Sequence, residues 1–207
     1  AAPGSSGSRA GALTLEAWRR YSPSTHVGAV LGHEGPRSLC ALLRRRGLAT
    51  GLSAGGGEEN ESFSTLAVAI DLTERGLERR GEVLDLLFGY LRLLRELPAW
   101  PTELLEENIR LSEANWQTSE RPPPSDAVVQ LAGNMQHYGQ KDYVVGGSRL
   151  RGGPGLQGAV AALLAALSPG NAMLTTLSRS FAGAAQRTEP WYGTRFDAKD
   201  MVAERAK

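Results

Sequence analysis

Five leucines, Leu77, Leu84, Leu87, Leu91 and Leu94, recur at helical spacing between Thr73 and Pro98, and this stripe constrains the fold more than any other feature of the chain. Residues three, four or seven apart return to the same side of a helix, so the run presents a continuous apolar ridge that has to lie on a second layer. Thr73 can cap the first turn through its hydroxyl, and Pro98 cannot continue a helix because it lacks an N–H. The leucine helix is therefore the expected main packing element.

The layer beneath it is expected just upstream. Leu48 to Ala54 and Ser62 to Asp71 read as two strands of a hairpin, the second with Leu66, Val68 and Ile70 alternating with smaller residues, the period of a sheet with one face on a core. Leu84, Leu87, Leu91 and Leu94 are expected to pack on that face. Gly55 to Glu61 reads as a mobile hairpin tip. Its three glycines do not make a phosphate loop, because no Lys-Ser/Thr pair follows and Glu58 and Glu59 would repel phosphate.

Further upstream, Leu13 to Tyr21 reads as the end of a truncated strand running into a short helix, followed by an apolar stretch from His26 to Leu31. Ser38 then opens a helix with Leu39, Leu42 and Leu43 on one face, closed by Gly47. Arg44, Arg45 and Arg46 fall in its last turn, where basic groups complement the helix dipole, and are read as that rather than as a nucleic-acid patch. Downstream, helices are expected from Thr102, with Leu105, Ile109 and Trp116 on one stripe, from Ser125, with Met135 facing inward, and from Gly155 to Leu167. A turn at Pro169-Gly170-Asn171 leads to Met173–Leu177, expected as a returning strand. Strands early, helices in the middle and a strand at the end give an α+β class: a two-layer sandwich, an antiparallel sheet covered by helices on one face. No break in composition divides Leu13 to Phe181.

Composition narrows the function. With 207 residues and 41% hydrophobic content a folded domain is expected, and 23 basic against 22 acidic residues leave a net charge of +1, no field to recruit nucleic acid or an anionic membrane. The longest apolar run, Ala159 to Leu167, is far short of the roughly 20 residues of a membrane span, so a soluble protein is expected. The only cysteine, Cys40, forms no internal disulfide and sits in an apolar helical pattern, where a thiol is inert. Residues 1–10, rich in glycine, serine and alanine and opening on Ala1, read as a flexible linker of a processed or excised chain.

A zinc hydrolase needs paired imidazoles on one helix face, a third ligand and a general base. The three histidines, His26, His33 and His137, stand in no such spacing, and His33-Glu34 are adjacent, so their side chains diverge. No nucleophile elbow is present either. The chain by itself is expected to bind no metal and to hydrolyse no peptide.

Four groups of residues, in order along the chain, carry a resemblance. They are Leu31-Gly32-His33-Glu34-Gly35-Pro36 with Ser38-Leu39 and Gly47; Val68-Ala69-Ile70-Asp71-Leu72-Thr73-Glu74 with Gly76-Leu77; Glu120-Arg121-Pro122 with Leu131-Ala132 and His137-Tyr138; and Trp191-Tyr192-Gly193-Thr194. Together they resemble the second domain of zinc metallopeptidases of the insulinase/pitrilysin family, over about Leu13 to Phe196. The resemblance implies a metallohydrolase-like domain at 11–196 that lacks the zinc motif, between the linker at 1–10 and a tail at 197–207.

It further implies a parent enzyme of two bowl-like halves around a chamber, with zinc in the first domain only and no cofactor in this chain. The implied partners are peptide substrates and the other domains of the same enzyme, with neither nucleic acid nor membrane. A second domain of this kind is expected to carry an exosite, where a substrate's amino terminus pairs with a strand edge. Carried across, that exosite falls on Gly32, Glu34, Leu52, Ala54 and Gly55. Ala54 departs from the family's glycine, and its methyl group is expected to narrow the site. The alternative is a free-standing pseudo-peptidase subunit that binds peptides or an active partner without cutting.

Overall fold

The computed structural model describes residues 14–60, 62–98 and 100–198; the expected linker at 1–10 and most of the tail at 197–207 lie outside them. The described chain opens with three short helices, α1 (Leu15–Tyr21), α2 (Pro23–Leu31) and α3 (Leu39–Arg45). A hairpin of β1 (Ala49–Glu59) and β2 (Ser64–Leu72) follows, then α4 (Glu74–Glu78), α5 (Arg80–Glu96), α6 (Thr102–Thr118), α7 (Pro124–His137) and α8 (Leu156–Ala166). Two residue pairs, β3 (Arg187–Thr188) and β4 (Arg195–Phe196), form a second ladder. The class is α+β.

Local chemistry explains most boundaries. The Ser38 hydroxyl accepts from the Ala41 amide at 3.1 Å, starting α3 as an N-cap does. The helix ends at Gly47, whose φ of +65° suits a residue without a Cβ. There the Gly47 amide donates to the Arg44 carbonyl (2.9 Å) and the Leu48 amide to that of Leu43 (3.0 Å), the paired closing bonds of a Schellman motif. Thr73 does two things at once: its hydroxyl accepts from the Gly76 amide at 3.0 Å to cap α4, and donates to the Gly47 carbonyl at 2.7 Å. Its own amide donates to the Leu48 carbonyl at 3.1 Å.

The leucine helix is broken. It divides at Arg79 into α4 and α5. Gly76 lies against the backbone of Leu48, where a Cβ would collide with the Leu48 carbonyl, so the first turn is committed to that contact. The α5 stripe is buried at Val83, Leu87, Leu91 and Leu94, but its main packing partners are α8, α3 and α4 rather than the hairpin face expected for it. The helix on the hairpin is α2. Seven of its nine residues are buried, as suits a helix surrounded by protein, and it packs on β1, α8 and α6. The core joins Val27 and Leu31 of α2, Leu39 and Leu43 of α3, Leu48, Leu52 and the α5 stripe, with Leu105, Leu156, Val160 and Leu164. Full burial of a side chain of this size stabilises by about 1.5–3 kcal/mol.

The hairpin alternates as expected, Leu66, Val68 and Ile70 being half-buried between exposed neighbours. Its tip is not where glycine content places it. The antiparallel register runs Leu52↔Ile70, Ala54↔Val68, Gly55↔Ala67, Gly56↔Leu66 and, after a shift, Glu59↔Ser64, so the glycines stand inside β1. Asn60 shapes the true turn, its Oδ1 accepting from the Ser62 and Phe63 amides at 2.8 and 3.0 Å.

Three further expectations are corrected. Leu13–Tyr21 has no strand in its described part: Thr14 caps α1 directly. Met135, expected to face inward, is 64% exposed, with Val128 and Val129 also exposed. Met173–Leu177 is irregular, Met173 being 94% exposed; a strand exists only by pairing, and the ladders among the described residues are β1–β2 and β3–β4 alone.

The chain divides into two compact units after Ala166, a boundary its composition does not mark. In the second unit the Glu189 carboxylate accepts from the Trp191 and Tyr192 amides at 2.6 and 2.7 Å, shaping the turn between β3 and β4, and Gly193 takes a φ of +67°.

Candidate functional site

Ser24 and Gly28 of α2 and its C-cap Gly32 lie four residues apart and share one face. That face rests on β1. A Cβ on Gly28 would stand 2.7 Å from the Gly55 Cα and 3.0 Å from the Ala54 carbonyl oxygen. One on Gly32 would stand 3.4 Å from the Ala54 nitrogen, and one on Gly56 would stand 3.3 Å from the Ser24 hydroxyl oxygen. Helix backbone thus lies on strand backbone at Gly28, a separation that a Cβ there would forbid.

The segment after α2 bends back on itself. The His33 Nδ1 accepts from the Gly35 amide at 3.0 Å, a local use that leaves His33 outside any ligand cluster. Glu34 is engaged by α3: Arg44 Nη1 and Nη2 donate to its two carboxylate oxygens at 3.2 and 3.1 Å. The same guanidinium donates from Nε to the Thr50 carbonyl at 2.9 Å. Thr50 lies at the register shift between Ala49 and Gly51, where an irregular strand frees a carbonyl from the ladder. Hydrogen bonding to Glu34 pushes the Arg44 pKa further above its ordinary value, aided by the field of Cys40 and of Glu34 itself.

All three arginines of the run have acceptors within the protein: Arg45 reaches the Pro36 carbonyl at 3.3 Å and Arg46 the Glu82 carboxylate at 2.9 Å. They fasten α3 to its surroundings. The run gives no sign of this in the sequence, since the acceptors lie ten residues before Arg44 and thirty-six after Arg46.

Of the five residues singled out, Gly32 and Ala54 touch across the α2–β1 seam, and Glu34 is tied to β1 through Arg44 and Thr50. Leu52 is buried, so its side chain belongs to the core and only its backbone is available to a ligand. Gly55 packs with its Cα against the Gly28 position, while a Cβ of its own would meet nothing within 4 Å. Both flanks of the site are backbone. Along one edge β1 pairs with β2, and among the described residues no strand pairs with the other. A small cavity of about 100 Å³ beside Arg19, Arg20, His137, Tyr138 and Arg151 contains none of the five. Among the described residues no three His, Cys, Asp or Glu side chains are gathered as a metal would need, and no helix is long and apolar enough to cross a membrane.

Residues 116–207 match a family model described as the middle or third domain of peptidase_M16. An Arabidopsis thaliana protein named insulin-degrading enzyme-like 1, peroxisomal, is 36% identical over 185 residues, 88% of this chain and 18% of that protein. The chain belongs to the insulinase/pitrilysin peptidase family. Human nardilysin, 31% identical over 188 residues, is covered to 16% of its length. The crystal structure of pitrilysin superposes with a TM-score of 0.66 and 25% identity over 75% of the chain, 16% of that protein. The chain thus spans less than a fifth of the relatives it matches, and it corresponds to a middle domain of this peptidase family.

Proposed function

We propose that this chain is a non-catalytic middle domain of a zinc endopeptidase, and that it anchors the amino terminus of peptide substrates while forming part of a chamber wall. One observation carries the reading: a carboxylate, Glu34, is fixed beside the start of β1, whose second edge is paired with no strand among the described residues. An extended peptide can add to such an edge through main-chain hydrogen bonds, with its ammonium group on the carboxylate. The reading covers residues 11–196 as the working domain, with Gly32, Ala54 and Gly55 holding the strand in place and Leu52 contributing backbone. On this reading zinc and the hydrolytic step belong to another domain of the parent enzyme, in keeping with the lack of a gathered ligand set among the described residues.

The test is binding of one octapeptide to the 207-residue chain, with its amino terminus free or acetylated. A hydrogen bond to a charged group is worth roughly 1.5–3 kcal/mol, so the free form is expected to bind about tenfold or more tightly, and Glu34→Gln to remove that preference. In the intact peptidase the same substitution raises KM for free peptides with little change in kcat, as loss of uniform binding does. Equal affinities for free and acetylated peptide in the wild-type chain would defeat the proposal.

A further inference from the structure

Arg44 occupies the two inner lone-pair directions of the carboxylate proposed as the anchor, and this determines what else that carboxylate can hold. A carboxylate offers about four acceptor directions, two on each oxygen. The Arg44 fork takes one on Oε1 and one on Oε2, leaving one on each oxygen, and the Glu34 side chain is 59% exposed. A peptide ammonium has three N–H donors and can give one of them to either of the two outer directions that remain.

We infer that Arg44 is the positioning residue of the amino-terminal anchor, and that it selects peptides whose first side chain is neutral or acidic. This rests on the reading of Glu34 as the anchor. The positioning follows from geometry. A glutamate on an exposed loop has free rotamers, and ordering them on binding subtracts from affinity. The planar guanidinium fork orders them beforehand. Its third bond, from Nε to the Thr50 carbonyl, refers the carboxylate to β1, so the ammonium site and the strand edge keep a fixed spacing and an added peptide has one register.

Selection follows from charge. The guanidinium stands beside the bound ammonium, where a lysine or arginine as first residue adds a like charge and an aspartate an opposite one. At so exposed a site the discrimination is modest, roughly twofold to fivefold at low salt, and fades as ionic strength rises.

The experiment measures dissociation constants of octapeptides that begin with Ala, Asp or Arg, each free and acetylated, for the wild-type chain, Glu34→Gln, Arg44→Lys and Arg44→Gln. Arg44→Lys keeps the charge but loses the two-pronged fork and the Nε bond. It is expected to lower the affinity of the free Ala peptide severalfold and leave the acetylated one unchanged, which shows that the strand edge is intact. Arg44→Gln is expected to abolish the Asp-over-Arg preference. If Glu34→Gln removes the preference for a free terminus but Arg44→Lys retains it in full, the role of Arg44 is overturned and the anchor stands. If Glu34→Gln retains it, or the wild-type chain binds no peptide, both fall.

Discussion

The α2–β1 seam and the segment from Leu167 to Ala198 are built on opposite terms. Along the seam, Val27 and Leu31 are fully buried and glycines bring backbone against backbone. In the later segment Met173, Leu177, Trp191 and Tyr192 stand 94%, 88%, 87% and 92% exposed, and order comes from short polar devices such as the Glu189 turn. The first region is stabilised by burial and the second by local hydrogen bonds, so the same substitution should have very different effects in the two.

The largest expected contrast is between two truncations. Leu31, fully buried in α2, should cost about 2–5 kcal/mol as Leu31→Ala, the range for emptying a core site, whereas Met173→Ala should stay within about 0.5 kcal/mol. Chemical unfolding followed by circular dichroism checks both, and similar values would dissolve the comparison.

Adding volume should distinguish the seam next. A Cβ on Gly28 would press on Gly55 Cα at 2.7 Å, so Gly28→Ala should lose about 1–3 kcal/mol through overpacking, despite alanine's better helix propensity. An unchanged or raised unfolding midpoint would show that α2 can lift from the strand without penalty.

His26 sharpens the comparison through pH. It is fully buried in α2, neither ring nitrogen has a hydrogen-bond partner, and burial lowers its pKa below the ordinary 6.5. The unfolded chain therefore takes up this proton at a higher pH than the folded one. Above 6.5 both states are neutral and His26 contributes no slope; below it the unfolded state binds more protons, and stability falls until the folded pKa is reached. Denaturation at stepped pH should show His26→Leu losing less stability than wild type between pH 6.5 and 5. Parallel curves would mean that the imidazole is not sealed.

The smallest effect has the opposite sign. Gly158 lies exposed in α8, where a Cβ would meet nothing within 4 Å, so Gly158→Ala should gain about 0.5–1 kcal/mol. A loss there would place an unseen neighbour over that face of α8.

Elements set by local chemistry were legible in the sequence. Ser38 and Gly47 bound α3, Thr73 begins a helix, Pro101 precedes α6, and the alternation of Leu66, Val68 and Ile70 marks the half-buried face of β2. Elements set by distant packing were not. Pro23–Leu31 contains a glycine, a histidine and two β-branched valines, a poor helix by propensity, and it is helical because its surroundings bury it. Gly55–Gly57 reads as a turn by composition but is strand because a helix needs a flat surface there. Met173–Leu177 has the residues of a strand without a ladder partner. At the candidate site, the resemblance singles out Gly32, Glu34 and Ala54 as candidates, but Arg44 is hidden, since a fork linking positions 34, 44 and 50 has no periodicity to betray it.

Thr73 has a consequence for how the molecule comes apart. By holding the carbonyls of Gly47 and Leu48 while it starts α4, it stitches shut the base of the loop that contains the whole hairpin. Strand separation that begins at Asn60 can therefore unzip toward this stitch and halt, with α3 and α4 still fastened. Amides near the tip should exchange with solvent through such partial openings, and that of Thr73 only when the knot itself is undone.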